Sequence, residues 1–95
     1  MFKVGQRWVS ENEPELGLGL VEEVNKFQVH LSFPVAEETR IFASENPPLK
    51  RVVYKEGDTI SSRNGVSFQV ERVEEEGQLF IYHSGEQMIA ESDLA

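Results

Sequence analysis

Apolar and polar residues alternate along much of this chain with the two-residue period of β-strands. Phe27, Val29, Leu31 and Phe33 interleave with Gln28, His30 and Ser32, which predicts a strand with one buried face. Asn64-Gly65, between extended runs at residues 59–63 and 66–73, predicts a hairpin closed by a type I′ turn. Asn25-Lys26 and Glu76-Gly77 predict the neighbouring tight turns. No segment sustains a helical period, and residues 91–94 have room for one 3₁₀ turn at most. Proline cannot donate to a strand ladder, so Pro47-Pro48 is expected to mark a link between two halves.

The halves resemble each other. With an offset of about 50 residues, Gly5-Gln6-Arg7-Trp8-Val9-Ser10 aligns with Gly57-Asp58-Thr59-Ile60-Ser61-Ser62. Val21-Glu22-Glu23-Val24 aligns with Val70-Glu71-Arg72-Val73, both of the form V-E-x-V. A turn and an apolar run come next in each copy. Each then closes on an apolar pair, Ile41-Phe42 or Met88-Ile89, and on a leucine, Leu49 or Leu94. The shared order of these features points to a duplication.

The V-E-x-V spacing constrains the geometry. Residues three apart lie on opposite faces of a flat strand, so both valines reach one core only if the strand is bulged or bent between them. Five short strands with one strongly bent strand describe a small SH3-like or Tudor-like barrel. The expected fold is therefore all-β: two tandem barrels with strongly bent antiparallel sheets, over residues 1–50 and 51–95. Each is near the lower size limit for a domain, which favours packing as one module.

Charge bears on the partner. Seventeen acidic residues, fifteen of them Glu, face nine basic ones in 95 residues, for a net charge of −8. Nucleic-acid binders usually carry a basic face, because affinity comes largely from neutralising phosphates. The acidic balance favours a protein partner, or serves solubility alone. The chain has no cysteine, which removes disulfides and thiolate metal sites and suits a reducing cytoplasm. It has neither the apolar run of a signal peptide nor that of a membrane span, so no membrane association is expected.

Chemistry has little to stand on. His30 and His83 have no Cys or Asp close by in sequence, and no serine can be assigned a base and an orienting acid. Adjacent glutamates such as Glu22-Glu23 and Glu74-Glu75-Glu76 point to opposite strand faces. Gly17-Leu18-Gly19 is not followed by the Gly-Lys-Ser/Thr of a phosphate loop and reads as a turn or a close backbone approach. No catalytic, cofactor or metal site is expected. Trp8, Phe33, Phe42 and Tyr54 could frame an aromatic cage, although each also sits where a core residue is expected.

The candidate partner-binding residues are Glu13, Glu15, Leu16 and Leu18 in one loop, and Arg7, Arg40, Lys50 and Arg51 elsewhere in the chain. Residues 11–16 are acidic and braced by Pro14; Glu13 and Glu15 lead to Leu16 and Leu18, apolar anchors within a charged rim. The same loop could instead cover the open end of its own barrel. Arg7, Arg40, Lys50 and Arg51, with Lys55, are dispersed along the chain. A nucleic-acid-binding role, the alternative to a protein partner, requires them to converge on one face.

Gly5-Gln6-Arg7-Trp8-Val9-Ser10, with Glu15-Leu16-Gly17-Leu18-Gly19 after it, resembles the opening of the RapA (HepA) family, bacterial RNA-polymerase-associated ATPases of the SWI/SNF type. The resemblance continues through Arg51-Val52-Val53-Tyr54, Gly57-Asp58-Thr59-Ile60 and Val70-Glu71-Arg72-Val73. The first half is also similar to Tudor and KOW modules of bacterial transcription factors. The resemblance implies the N-terminal module of a larger motor protein, binding RNA polymerase and restraining the ATPase motor of the same parent chain while polymerase is recycled. ATP and magnesium then belong to that motor and not to this chain, which is expected to be an excised domain or a short relative. His83-Ser84-Gly85-Glu86 departs from the family in being a shorter turn.

Overall fold

The computed structural model describes residues 1–95, which divide into two compact units, Met1–Val52 and Val53–Ala95. The first unit is a curled five-stranded antiparallel sheet of β1 (Arg7–Ser10), β2 (Gly19–Val24), β3 (Gln28–Phe33), β4 (Glu38–Ala43) and β5 (Leu49–Arg51). Their order across the sheet is β4-β3-β2-β1-β5. The second unit holds a hairpin, β6 (Thr59–Ser61) with β7 (Ser67–Gln69). It also holds a three-stranded sheet of β8 (Arg72–Glu76), β9 (Leu79–Ser84) and β10 (Gln87–Ala90), in the order β10-β9-β8. Five strands per unit, all antiparallel, give the all-β small-barrel class read from the alternation.

In the first unit the buried face of β3 delivers Val29, Leu31 and Phe33, each fully buried, and Val21, Leu16 and Leu49 complete the core. Phe2, Trp8, Ala36 and Phe42 pack against it. Burying a Val, Leu or Phe side chain contributes roughly 1.5–3 kcal/mol, so these few residues carry most of what holds so small a sheet. Phe27, grouped with β3 by alternation, precedes the strand and is exposed. There the Asn25 Oδ1 accepts the N–H groups of Phe27 and Gln28, at 3.0 and 2.8 Å, and pins the turn.

The bends fall where the V-E-x-V pattern places them. The β2–β3 register shifts between Val21 and Glu23, a bulge that turns Val21 into the core. Val24, expected inside, is 38% exposed, because the bulge lies near the end of β2 and little sheet remains beyond it to cover the last residue. In the second unit the strand breaks outright. The Val70 N–H bonds to Asp58 O and the next amide, Glu71, to His83 O, both at 2.8 Å. One peptide thus passes the chain from the β6 side to β9. Val70 is buried with Ile60, Tyr82, Ile89 and Leu94, while Val73 is half-buried.

Two local expectations are corrected. Pro47-Pro48 does not link the halves. The Pro48 carbonyl accepts the Glu11 N–H, and the prolines lead into β5, which pairs with β1 inside the first unit. Asn64-Gly65 closes a hairpin, but not through a type I′ turn, since Asn64 lacks the positive φ that turn requires. The Gly65 N–H bonds back to Ser62 O with Gly65 at φ +84°, the three-residue loop with a glycine bulge. The two-residue turn with both central residues at positive φ is Gly77-Gln78, at +58° and +69° between β8 and β9.

Gly19 decides whether the first sheet can close. A Cβ there would stand 2.7 Å from a Phe33 ring carbon and 2.9 Å from the Trp8 carbonyl oxygen. Gly19→Ala is expected to destabilise the protein by about 2–3 kcal/mol through overpacking, read as a lower urea midpoint at unchanged slope. Glu37 sits at φ +54° in an exposed turn, so Glu37→Gly is expected to raise stability by about 0.5–1 kcal/mol in the same measurement.

Candidate functional site

The residues singled out around the loop at 11–18 all fall in the first unit, and the structure treats them unequally. The Ser10 Oγ accepts the Glu13 N–H at 3.0 Å, which turns the chain out of β1 into a 3₁₀ turn at Pro14–Leu16. That turn aims Leu16 inward, where it is 3% exposed within the core. Leu16 is therefore the plug of its own barrel and not a partner anchor. Leu18 is half-buried, and Glu15 is exposed.

Glu13 is tied to β4. Arg40 reaches Glu13 at 3.6 Å and Glu38 at 2.5 Å, with all three side chains partly exposed. The hydrogen bond to Glu38 is the main cause that raises the Arg40 guanidinium above its ordinary value, with the negative charges of Glu38 and Glu13 adding to it. The loop and the strand are thus clasped by one arginine between two carboxylates.

Of the other three candidate cations, two are drawn into the fold. Arg7 is 1% exposed, and its Nε–H donates to Gly19 O at 2.9 Å. This removes Arg7 from the surface candidates, since its charge lies inside the fold. Arg51 lies over the Trp8 ring, with Cζ 5.9 Å from the centroid, and its Nη1 donates to Arg7 O at 3.1 Å. Lys50 is exposed, beside Val9 in the β1–β5 register.

The aromatic cage does not form. Phe33 is fully buried and Phe42 packs on the first core. Trp8 packs against Phe2 with ring centroids 4.6 Å apart and planes tilted by 41°, and donates its Nε1–H to Gln6 Oε1, while Tyr54 belongs to the second unit and meets Tyr82 edge-on at 5.9 Å. The histidines part company. His83 Nε2 lies 2.8 Å from Glu74 Oε1 across the β8–β9 ladder, whereas His30 Nε2 is buried without a hydrogen-bond partner. No group of three or more metal-capable side chains converges. No helix is long and apolar enough to cross a membrane.

One surface escaped sequence reasoning. In the second unit an open groove of about 500 Å³ runs between the β6–β7 hairpin and β10, lined by Arg63, Val66, Phe68, Met88, Ile89 and Asp93 among others. Val66 and Met88 are 48% and 68% exposed. The signal was present: Met88-Ile89 is an adjacent apolar pair, and on a strand one of the two must face away from the core. The units also differ in charge. Nine acidic residues face three basic ones in the second, a net of −6, against eight and six in the first.

Comparison with known proteins places both units. Residues 2–52 match the family model described as RapA N-terminal Tudor like domain 1, and residues 54–95 match RapA N-terminal Tudor like domain. The RNA polymerase-associated protein RapA of Actinobacillus succinogenes is 51% identical over 70 residues, covering 74% of this chain and 7% of that protein.

If the Arg40 clasp holds the loop, Arg40→Ala is expected to speed hydrogen exchange at the Leu16 and Gly17 amides, which bond to Glu13 O and Pro14 O. The global denaturation midpoint is expected to stay close to that of the parent, because the pairs are partly exposed.

Proposed function

The chain belongs to the RapA N-terminal Tudor-like family, and from that membership we propose that it is a non-catalytic docking and regulatory module. It binds RNA polymerase in the cytoplasm and, as the N-terminal part of a longer parent, restrains the ATPase motor of that parent while polymerase is recycled. The observation that carries this reading is the pair of family matches over both units, together with a half-identical relative whose name records polymerase association. The two barrels act together as one module. ATP, magnesium and DNA belong to the motor.

The physical chemistry agrees with a protein partner. The acidic balance opposes phosphate contacts, and the first unit's arginines, which could have offset it, are buried, laid on Trp8 or clasped by glutamates. The His83–Glu74 pair is a base beside a carboxylate, but catalysis at a nucleophile needs a third group held against the base, and none of the contacts of this pair supplies one.

Two measurements test the proposal. The chain is expected to be retained on immobilised core RNA polymerase, and its removal from the parent is expected to raise the parent's ATPase rate. Failure of retention overturns docking; an unchanged rate overturns restraint. Titration with duplex and single-stranded DNA at low salt is expected to show no binding, and a salt-sensitive response would favour a nucleic-acid-binding Tudor/KOW-like module instead.

A further inference from the structure

β10 is an outer strand, paired to β9 on one side only. The register shows which of its backbone groups face outward. Ser84 and Gln87 flank the two-residue Gly85-Glu86 turn and form the hydrogen-bonded pair that closes it. The next pair, His83 and Met88, is then of the non-hydrogen-bonded kind, and Met88 turns its N–H and C=O away from β9. Ala90 repeats this orientation two residues on. Neither outward set bonds to another backbone group.

Natural sheet edges are usually blunted by charge, proline or a bulge. β8, at the opposite edge of the same sheet, obeys that rule with Arg72, Glu74, Glu75 and Glu76. β10 does not: Gln-Met-Ile-Ala is uncharged, and its four residues pair with β9 in unbroken register. The groove of about 500 Å³ lies beside this edge. Ile89 and Phe68 supply its buried and half-buried apolar lining, and Val66 and Met88 its exposed apolar lining. An unprotected edge beside an apolar groove is what strand addition requires: backbone bonds along the edge, and a pocket for every second side chain.

Charge selects the occupant. The groove's own lining charges, Arg63 and Asp93, offset each other, and the balance of nine acidic residues against three basic ones over the whole unit repels an acidic strand, including a second copy of this unit, and attracts a basic one. We propose that the free edge of β10 takes an extended basic segment of RNA polymerase as an added strand, one apolar side chain of which enters the groove between Val66, Phe68, Met88 and Ile89. This rests on the polymerase-docking function and adds the surface and the mode of contact. Alternation along the added strand places its basic residues on the face away from the groove.

The test measures binding of the full chain to immobilised core RNA polymerase. Met88→Glu and Val66→Glu put a charge at exposed groove positions, and Met88→Pro removes an outward N–H that the β9–β10 ladder does not use. Each is expected to weaken binding by about tenfold or more at an unchanged melting temperature, whereas Val35→Glu on the first unit stays within about twofold. Binding is also expected to weaken as salt rises from about 0.05 to 0.3 M. If Met88→Pro disturbs the sheet, as a lowered melting temperature would reveal, the two glutamate variants decide. Wild-type binding that both glutamate variants leave intact overturns the β10 edge and leaves polymerase docking standing. Absence of wild-type binding overturns both. Salt-independent binding overturns the basic segment, and a dimer of the free chain that Met88→Glu dissolves reassigns the edge to self-association.

Discussion

A strand that must serve two partners is the constraint on which this protein depends. In a barrel of five short strands, one chain segment has to leave one sheet neighbour and join another without losing its hydrogen bonds. β2 does so through the bulge between Val21 and Glu23, pairing with β1 at Gly19 and Leu20 and with β3 from Leu20 onward. The second unit meets the same need by breaking the strand between Val70 and Glu71, whose amides bond to opposite sides. An unmade buried backbone bond costs about 1–3 kcal/mol, a large fraction of the stability of so small a unit.

The tightness of that first turn accounts for the fate of the neighbouring residues. With no Cβ at Gly19, Phe33 and the Trp8 backbone approach closely, and Arg7 bonds to the Gly19 carbonyl. Leu16 closes the core through its 3₁₀ turn, and the Arg40 clasp holds the loop that carries it. The loop that resembles a recognition element in sequence is thereby committed largely to its own barrel.

The second unit divides its labour differently. Its β8 edge carries Arg72, Glu74, Glu75 and Glu76, whereas its uncharged edge and apolar groove lie at β10. Charge on β8 blunts that edge against strand pairing, and β10 has no such protection.

Much of this was legible in the sequence. Period-two alternation announced β3, the repeated V-E-x-V announced a bend in each unit, and the absence of any helical period excluded other classes. These are local properties, and strand pleat and strand twist act on each residue through its immediate neighbours. What the sequence could not decide was set by residues far apart in the chain. Pro47-Pro48 read as a linker because nothing local shows that β5 returns to β1. Asn64-Gly65 read as a type I′ turn because the dipeptide favours it, but the β6–β7 register, carried on by the Ser62 N–H to Val66 O bond, leaves three residues in that loop, and Gly77-Gln78 took the two-residue turn instead. Whether Leu16 and Arg7 face a partner or a core, and whether Met88 borders a groove, depends on what the fold brings against them. Only the tertiary structure decides that, since burial is a property of the surroundings and not of the residue.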